Sequence, residues 1–434
     1  MAGNRPNVFL ILTDQHQAQA LGAVDGSFHT PALDGLAADG ARFENAYCTQ
    51  PQCSPSRSSI VTGQFPHQTG VQALSNWGPH ELDTASNSVG RTLQDAGYET
   101  LWSGRWDLGV ENATELGWKY TRNLDITGTD GTSSLECDRT TATEVSRYLR
   151  EYDGDTPFFA TASFNLPHPP YFEDECFQQY YDREEVSLPT NFNDDLSTKP
   201  AFHRERAKAE ECDLSEDEYR EVAYRYRTMV SRVDAYIGVV LDTLRSEGLY
   251  DDTVIVFTAD HGDMQAAHGL NKKGVLAYEE ILRVPLVVHH PQLDIERNVI
   301  PDFVSTAAVP GTIVEAAGES VSQAFTGGSL LPTMERSSPP DDDRVFFEHN
   351  VAYWGHHPYR GVRTPDWKLV EYPKDGEGEL YDMQTDADEL TNRYNDPDYI
   401  TVREALENTI ERWWNATDGD MDDWITEPDL SFSP

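Results

Sequence analysis

The sequence predicts an α/β fold built on a large, mostly parallel sheet with helices on its faces. Two observations carry this. Short apolar runs alternate with longer stretches of helical periodicity. Polar, chemistry-bearing residues also follow four of those runs at the same end, as they do in open α/β sheets. With 434 residues, 38% hydrophobic and 11% aromatic, the chain can bury one large core and a smaller one.

The first apolar run, Asn7 to Leu12, reads as a core strand over Val8–Thr13. It is too short for a secretory h-region, and no small-residue cleavage site follows. Further strands are expected at Glu99–Ser103, Phe158–Phe164, Thr253–Thr258 and Val284–His289. A helix fits Ser54 to Thr62. The clearest helix runs from about Ser215 to Ser246, where Val222, Tyr226, Met229, Val233, Ile237, Val240 and Leu244 recur at steps of three and four. Ser215, Asp217 and Glu218 suit its start and Gly248 its stop. The Gly/Ser/Pro/Asp-rich stretch from Thr326 to Asp343 reads as a linker. Beyond it, Arg344–Glu348, Trp367–Tyr372 and Glu379–Asp382 are strand-like, and Thr401–Trp414 fits a helix. The expected division is a large α/β domain over residues 1–335 and a C-terminal subdomain over 344–434, with a small antiparallel sheet, a helix and an acidic tail. That tail, Asp418 to Pro434, shows no periodicity, and no internal repeat occurs.

The formal charge of −42 excludes general binding to nucleic-acid phosphates. No apolar run approaches the roughly 20 residues that span a bilayer, so no membrane role is expected. Only seven of the 33 basic residues are lysine, and acidic excess with few lysines is similar to proteins of salt-accumulating halophilic archaea. Molar salt shortens the Debye length to about 3 Å and so screens self-repulsion. The five cysteines, Cys48, Cys53, Cys137, Cys176 and Cys212, form no metal-type pair and no disulfide pattern, which points to the cytoplasm.

Asp14, Arg105 with Asp107, His168, and Asp260 with His261 follow the first four strand candidates. Asp14, Asp260 and His261 make a hard, mostly oxygen donor set, suited to calcium, magnesium or manganese. Cys53 lies just before the Ser54–Thr62 helix, where a thiolate or an oxyanion is favoured. Pro55 fits the first helical turn. Arg57, one turn on, can reach an anion held at the helix mouth. The cysteine reads as a nucleophile, the precursor of one, or an inert thiol beside a structural arginine.

Cys53-Ser54-Pro55-Ser56-Arg57, ending in Thr62-Gly63, resembles the signature of the sulfatases of the alkaline phosphatase superfamily. Asn7 to Gln15, Thr30-Pro31-Ala32-Leu33-Asp34, Ala41-Arg42-Phe43, Thr258 to Asp263, His268-Gly269-Leu270, Lys273-Gly274, Tyr278-Glu279-Glu280, Arg283 to Leu286 and Glu379 to Asp382 also follow the family pattern, so the likeness covers nearly the whole chain. The resemblance implies a sulfuric ester hydrolase. A formylglycine-generating enzyme would convert Cys53 to formylglycine, whose hydrated aldehyde attacks the sulfur of a small-molecule or carbohydrate sulfate ester beside a divalent cation, calcium foremost. It further implies Asp14, Gln15, modified Cys53, Asp260 and His261 as the metal site. Arg57 would hold the nucleophile's oxygens, His168 would serve the leaving group and Lys273 the sulfate. Asn76, Arg105 and Asp107 would contact substrate.

Gln15 stands where many members have a second aspartate. Gly104-Arg105-Trp106-Asp107-Leu108-Gly109 departs from the family's Gly-Lys-Trp-His-Leu-Gly. Arg105 keeps the positive charge. Asp107 is expected to pair with Arg105 or Lys273, to contact a cationic or hydroxylated part of the substrate, or to mark a drift in activity. Two other readings therefore stand beside the sulfatase: a phosphonate monoester or phosphodiester hydrolase, and a non-catalytic member of the fold.

Overall fold

The first strand, β1 (Asn7–Asp14), is buried at every residue. Its side chains alternate between two cores, with Val8, Leu10 and Leu12 on one face and Phe9 and Ile11 on the other. A continuous apolar run of this kind belongs in the middle of a parallel sheet covered on both faces. The computed structural model of the chain, which describes residues 5–77, 80–109, 113–123, 131–209, 212–274, 276–293, 295, 297–336, 338–340, 343–351 and 355–426, puts it there.

The other strands of the large sheet are β2 (Ala41–Tyr47), β3 (Glu99–Gly104), β4 (Tyr120–Asn123), β5 (Phe158–Pro167), β6 (Thr253–Ala259), β7 (Leu286–His289) and β8 (Val299–Ser305). Their order is β4-β3-β5-β1-β6-β7-β2-β8. β7 pairs antiparallel with both β6 and β2, and every other pairing is parallel. All five expected strands form. β2, β4 and β8 were not among them. β2 alternates buried and open positions, and β8 carries Pro301, which an edge strand tolerates.

The long helix spans Glu216–Ser246 and is capped as expected: Ser215 and Glu218 form a reciprocal capping box. Met229, Val233, Ile237, Val240, Leu241 and Leu244 pack with Ala142, Val145 and Leu149 of the Gly131–Glu151 helix on one sheet face. On the other face Trp102, Trp106 and Trp118 meet edge to face, with ring centroids 4.7–5.6 Å apart.

The C-terminal part holds β9 (Val345–His349), β10 (Tyr359–Arg363), β11 (Trp367–Tyr372) and β12 (Glu377–Asp382), an antiparallel meander ordered β12-β11-β10-β9, with a helix over Ile400–Ala416. β10, rich in arginine, was not expected. Phe347, Tyr359, Val370 and Tyr372 of this sheet join the main core.

Two expectations are corrected. The Thr326–Asp343 stretch is packed rather than a free linker: Gly327 N–H donates to Gly63 O at 2.9 Å, and Leu331–Glu335 forms a short helix with Leu331 and Met334 buried. Its small residues permit that approach, since a Cβ on Gly327 would lie 2.3 Å from the Ala307 backbone (residues 337, 341 and 342 lie outside the described residues). The tail is not featureless either. Met421–Trp424 forms a helical turn, and Trp424, 1% exposed, packs against Trp414. Residues 427–434, like residues 1–4, lie outside the described residues.

One glycine fixes where β3 ends. Gly104 has φ +108, and a Cβ there would sit 1.8 Å from Ser163 O, the same carbonyl that accepts Arg105 N–H at 2.9 Å. Gly104→Ala is expected to part β3 from β5 and to cost roughly 3 kcal/mol or more. The midpoint of denaturant unfolding measures this; an unchanged midpoint would show that the strands part freely here.

Candidate active site

β3, β5, β1 and β6 are consecutive neighbours in the sheet and run in one direction. Their carboxyl ends therefore share one edge. Asp14 ends β1, Arg105 follows β3, His168 follows β5, and Asp260 with His261 follows β6. Against this edge stands the Cys53–Thr62 helix, buried at all ten residues. Its first residue is Cys53 itself, one position earlier than expected, with Gln52 as an N-cap that makes no side-chain capping bond.

One donor atom each from Asp14, Cys53, Asp260 and His261 lies within 4.8 Å of the others, and all four residues are buried. His261 Nδ1 lies 2.9 Å from Gly262 O. A carbonyl only accepts, so Nδ1 carries the hydrogen and Nε2 offers its lone pair to the cluster. Asp260 Oδ1 accepts from the N–H groups of Gln15 and His261, at 3.0 and 2.9 Å.

Arg57 was expected on the nucleophile's oxygens. Its guanidinium, 1% exposed, instead spans two carboxyl groups. Nε donates to Asp260 Oδ2 at 2.8 Å and Nη2 to Asp14 Oδ2 at 3.0 Å, while Nη1 bonds Arg105 O and Ser163 Oγ. Arg105 Nε adds a second cation 3.1 Å from Asp14 Oδ2. Burial opposes ionisation of Asp14, but the charges of Arg105, Lys273 and Arg57 outweigh it and hold the carboxyl well below the usual range. Burial and the neighbouring Asp14 charge push Asp260 up to about 7.

Cys53 Sγ lies 3.3 Å from His261 Nε2, and Lys273 Nζ donates to it at 2.6 Å. Lys273 Nζ also sits 3.0 Å from His261 Nε2. The helix N-terminus was expected to favour a thiolate there. Burial and the Asp14 charge overrule it and push the thiol up to about 12. Burial disfavours a charge on Lys273, yet Cys53, Asp14 and Asp260 raise its ammonium above the ordinary value. Half-buried His168 points Nδ1 at Pro169 O, 2.6 Å away. Burial and the Lys273 charge push its imidazole well down, so it is neutral.

Asp107 has taken the first of its expected partners: its Oδ2 lies 3.1 Å from Arg105 Nη2, with its side chain 18% exposed. Asn76 is not in the buried cluster. It is exposed on the Ser75–Trp77 turn, tethered to the Cys53 helix where Ser75 N–H donates to Ser54 Oγ at 3.0 Å.

The donor set fits a divalent cation. Two buried carboxylates and an imidazole lone pair converge, and Gln15, wholly buried, has an Oε1 with no hydrogen-bond partner. An amide oxygen left bare in a protein interior is costly unless something else takes it.

The family model for sulfatases matches residues 6–319, and that for the C-terminal part of N-sulphoglucosamine sulphohydrolase matches residues 266–416. This chain belongs to the sulfatase family. Among its relatives are a choline-sulfatase of Rhizobium meliloti, 28% identical over 92% of this chain and 84% of that protein, and an N-acetylglucosamine-6-O-sulfatase of Bacteroides thetaiotaomicron, 25% identical over 94% and 86%. The solved structure of a phosphonate monoester hydrolase from Silicibacter pomeroyi superposes with a TM-score of 0.81 at 22% identity, covering 95% of this chain and 96% of that one. At that identity it shows a shared fold.

Sequence reasoning missed the residues that hold this sulfatase site from behind. Asp138, on the Gly131–Glu151 helix, accepts from Asn165 N, Asn165 Nδ2 and Leu166 N at 2.7–2.9 Å, and so fixes the segment that leads to His168. Asp263 accepts from Gln15 Nε2 and Tyr171 OH, each at 2.5 Å. Asp263 was legible as part of the Thr258–Asp263 motif. Asp138 had no local signal.

A cation held by the Asp260 carboxyl would bind in a pH-dependent way. In the protein alone it keeps its proton up to about pH 7, whereas an unfolded aspartate loses it near pH 4. Between these values the folded state holds the extra proton, so its contribution to stability falls as pH rises. A cation takes the ionised form and reverses this. The rise in melting temperature on adding calcium is expected to be larger near pH 8 than near pH 6. Equal rises would remove Asp260 from the ligand set.

Proposed function

We propose that this sulfatase hydrolyses a sulfate monoester with formylglycine made from Cys53, beside a divalent cation held by Asp14, Gln15, the modified Cys53, Asp260 and His261. The state and place of Cys53 carry this reading. A thiol pushed up to about 12 is a poor nucleophile, yet it occupies the centre of the ligand cluster with Lys273 on its sulfur. Its Sγ stands in for the oxygen of the modified residue. The oxygen-rich donor set supports calcium, with manganese or magnesium as the alternatives. The cation, when bound, supplies positive charge and makes an oxygen nucleophilic near neutral pH.

The chain's own groups do the rest. Arg57 holds the two carboxyl groups apart and favours their ionised forms. Lys273 and Arg105 offer positive charge to the equatorial oxygens of the sulfate as the S–O bond breaks. His168, with Nδ1 committed to Pro169 O, orients the leaving alcohol through Nε2 and gives it a proton from that nitrogen once the anionic substrate has drawn one onto the ring. Asp107, neutralised by Arg105 and partly open, and Asn76 meet the alcohol portion. The kinds of relative, a choline-sulfatase and an N-acetylglucosamine-6-O-sulfatase, support a small-molecule or carbohydrate ester. A second reading, phosphonate monoester or phosphodiester hydrolysis, is favoured by Gln15, by Arg105-Trp106-Asp107 and by the fold shared with the phosphonate monoester hydrolase. The ion-paired, cation-ready cluster argues against a non-catalytic role.

Peptide mass spectrometry across Cys53 is expected to find formylglycine in protein from its native host; an unmodified thiol there would sink the mechanism. An aryl sulfate is expected to turn over faster than an aryl phosphonate monoester, and the reverse order would move the assignment to the second reading. Cys53→Ala is expected to lose several orders of magnitude in kcat with the melting temperature retained.

We further place the chain in the salt-rich cytoplasm of a halophile, matured by a formylglycine-generating enzyme and divided functionally into residues 1–335 and 344–434. The charge of −42 and five free cysteines support the compartment, and no helix among the described residues is long and apolar enough to cross a membrane. The melting temperature is expected to rise between about 0.1 and about 1 M KCl, as the Debye length shrinks from about 10 to about 3 Å. A flat or falling trend would remove the halophile assignment.

A further inference from the structure

A glutamine in a ligand set raises a problem that an aspartate does not. A carboxylate offers two equivalent oxygens, whereas an amide offers one oxygen and one NH2 group, and the wrong way round it presents a donor to a cation. Gln15 follows Asp14 directly, and its main-chain N–H donates to Asp260 Oδ1 at 3.0 Å, so its side chain leaves the backbone between two ligands. Tyr226 OH donates to Gln15 O at 3.0 Å and pins that backbone, which has φ +64. Something must still choose between the two amide orientations.

Asp263 is placed to choose. It is wholly buried, and no ion pair reaches it among the described residues. Its Oδ2 accepts from Gln15 Nε2 and from Tyr171 OH, each at 2.5 Å. Its Oδ1 accepts from the main-chain N and Nε2 of Gln265, both at 3.0 Å. An ionised carboxylate only accepts, so the group of Gln15 that faces it must be the NH2. The oxygen is then turned away, and it is this oxygen that is buried without a partner.

We propose that Asp263 is a positioning residue that fixes the amide of Gln15, presenting Oε1 and never the NH2 to the cation. Asp263 touches neither the cation nor the substrate; it acts through Gln15. The inference rests on the metal site proposed above and adds the device by which an amide serves where a carboxylate is the simpler ligand. Outer partners of this kind, when removed, typically lower metal affinity by about 10–100-fold.

The test is isothermal titration with calcium chloride, repeated with manganese chloride, on four purified proteins: wild type, Gln15→Ala, Asp263→Asn, and the reciprocal pair Gln15→Glu with Asp263→Asn. No turnover is needed. Asp263→Asn gives residue 263 a donor as well as an acceptor, so it no longer dictates how Gln15 lies, and affinity is expected to fall by about 10–100-fold. In the reciprocal pair, the amide of residue 263 donates to one oxygen of the new carboxylate and the other oxygen faces the cation. Affinity is expected to return to within a few fold of wild type, a rescue that a general packing role for Asp263 would not give. Wild-type affinity in Asp263→Asn, with a loss in Gln15→Ala, would overturn the positioning role and leave the metal site standing. No binding by wild type, or none lost in Gln15→Ala, would overturn the role of Gln15 and this inference with it. Should Asp263→Asn not fold, the reciprocal pair decides: binding no tighter than Gln15→Ala overturns the proposal.

Discussion

Two carboxyl groups are buried side by side at the ends of β1 and β6, and the fork of Arg57 is what makes that arrangement tenable. Asp14 and Asp260 each take a separate N–H from it, and its remaining nitrogen reaches Arg105 O after β3 and Ser163 Oγ on β5. One guanidinium thus ties together the carboxyl ends of the four central strands. A buried charge left without its partner is destabilising by about 3–5 kcal/mol, so the site and the sheet stand or fall together here. Lysine could not replace it, because a single ammonium lacks the planar fork that addresses several acceptors at fixed angles.

The helix that carries Arg57 turns this constraint into chemistry. Residues four apart share a helix face, so Cys-x-Pro-x-Arg puts the thiol of Cys53 and the guanidinium of Arg57 on the same side, one turn apart. Seating the arginine on Asp14 and Asp260 therefore seats the sulfur beside these two carboxyl groups and His261. Lys273 and His261 close on it from the strand-end loops, while Asp138 behind His168 and Asp263 behind Gln15 hold those side chains from below.

The strands that bear the site were legible because they are buried on both faces and read as unbroken apolar runs. β2 and β8 were not, since they lie toward one edge of the large sheet and carry arginine, asparagine or proline; β10 is internal to its small sheet, but Arg360, Gly361 and Arg363 break its apolar run. Residue identity at the site was also legible: Asp14, Cys53, Asp260, His261 and Lys273 converge as the strand-end reading and the family likeness led one to expect. Function within the cluster was harder to read. Arg57 finds its partners 43 and 203 residues away, and nothing local to it says so. The state of the Cys53 thiol was misjudged from its helix position alone, because complete burial beside Asp14 outweighs the pull of a helix N-terminus.

The burial of Cys53, at 1% exposure, also sets a clock. Its chamber is closed by Asp260, His261 and Lys273, which leave the ribosome more than 200 residues after it. At about 5–20 residues per second, the nascent chain displays that cysteine openly for roughly 10–40 s before its walls have been made. An enzyme that made formylglycine from Cys53, as proposed, would have this interval in which to act. Afterwards the native protein offers it no approach.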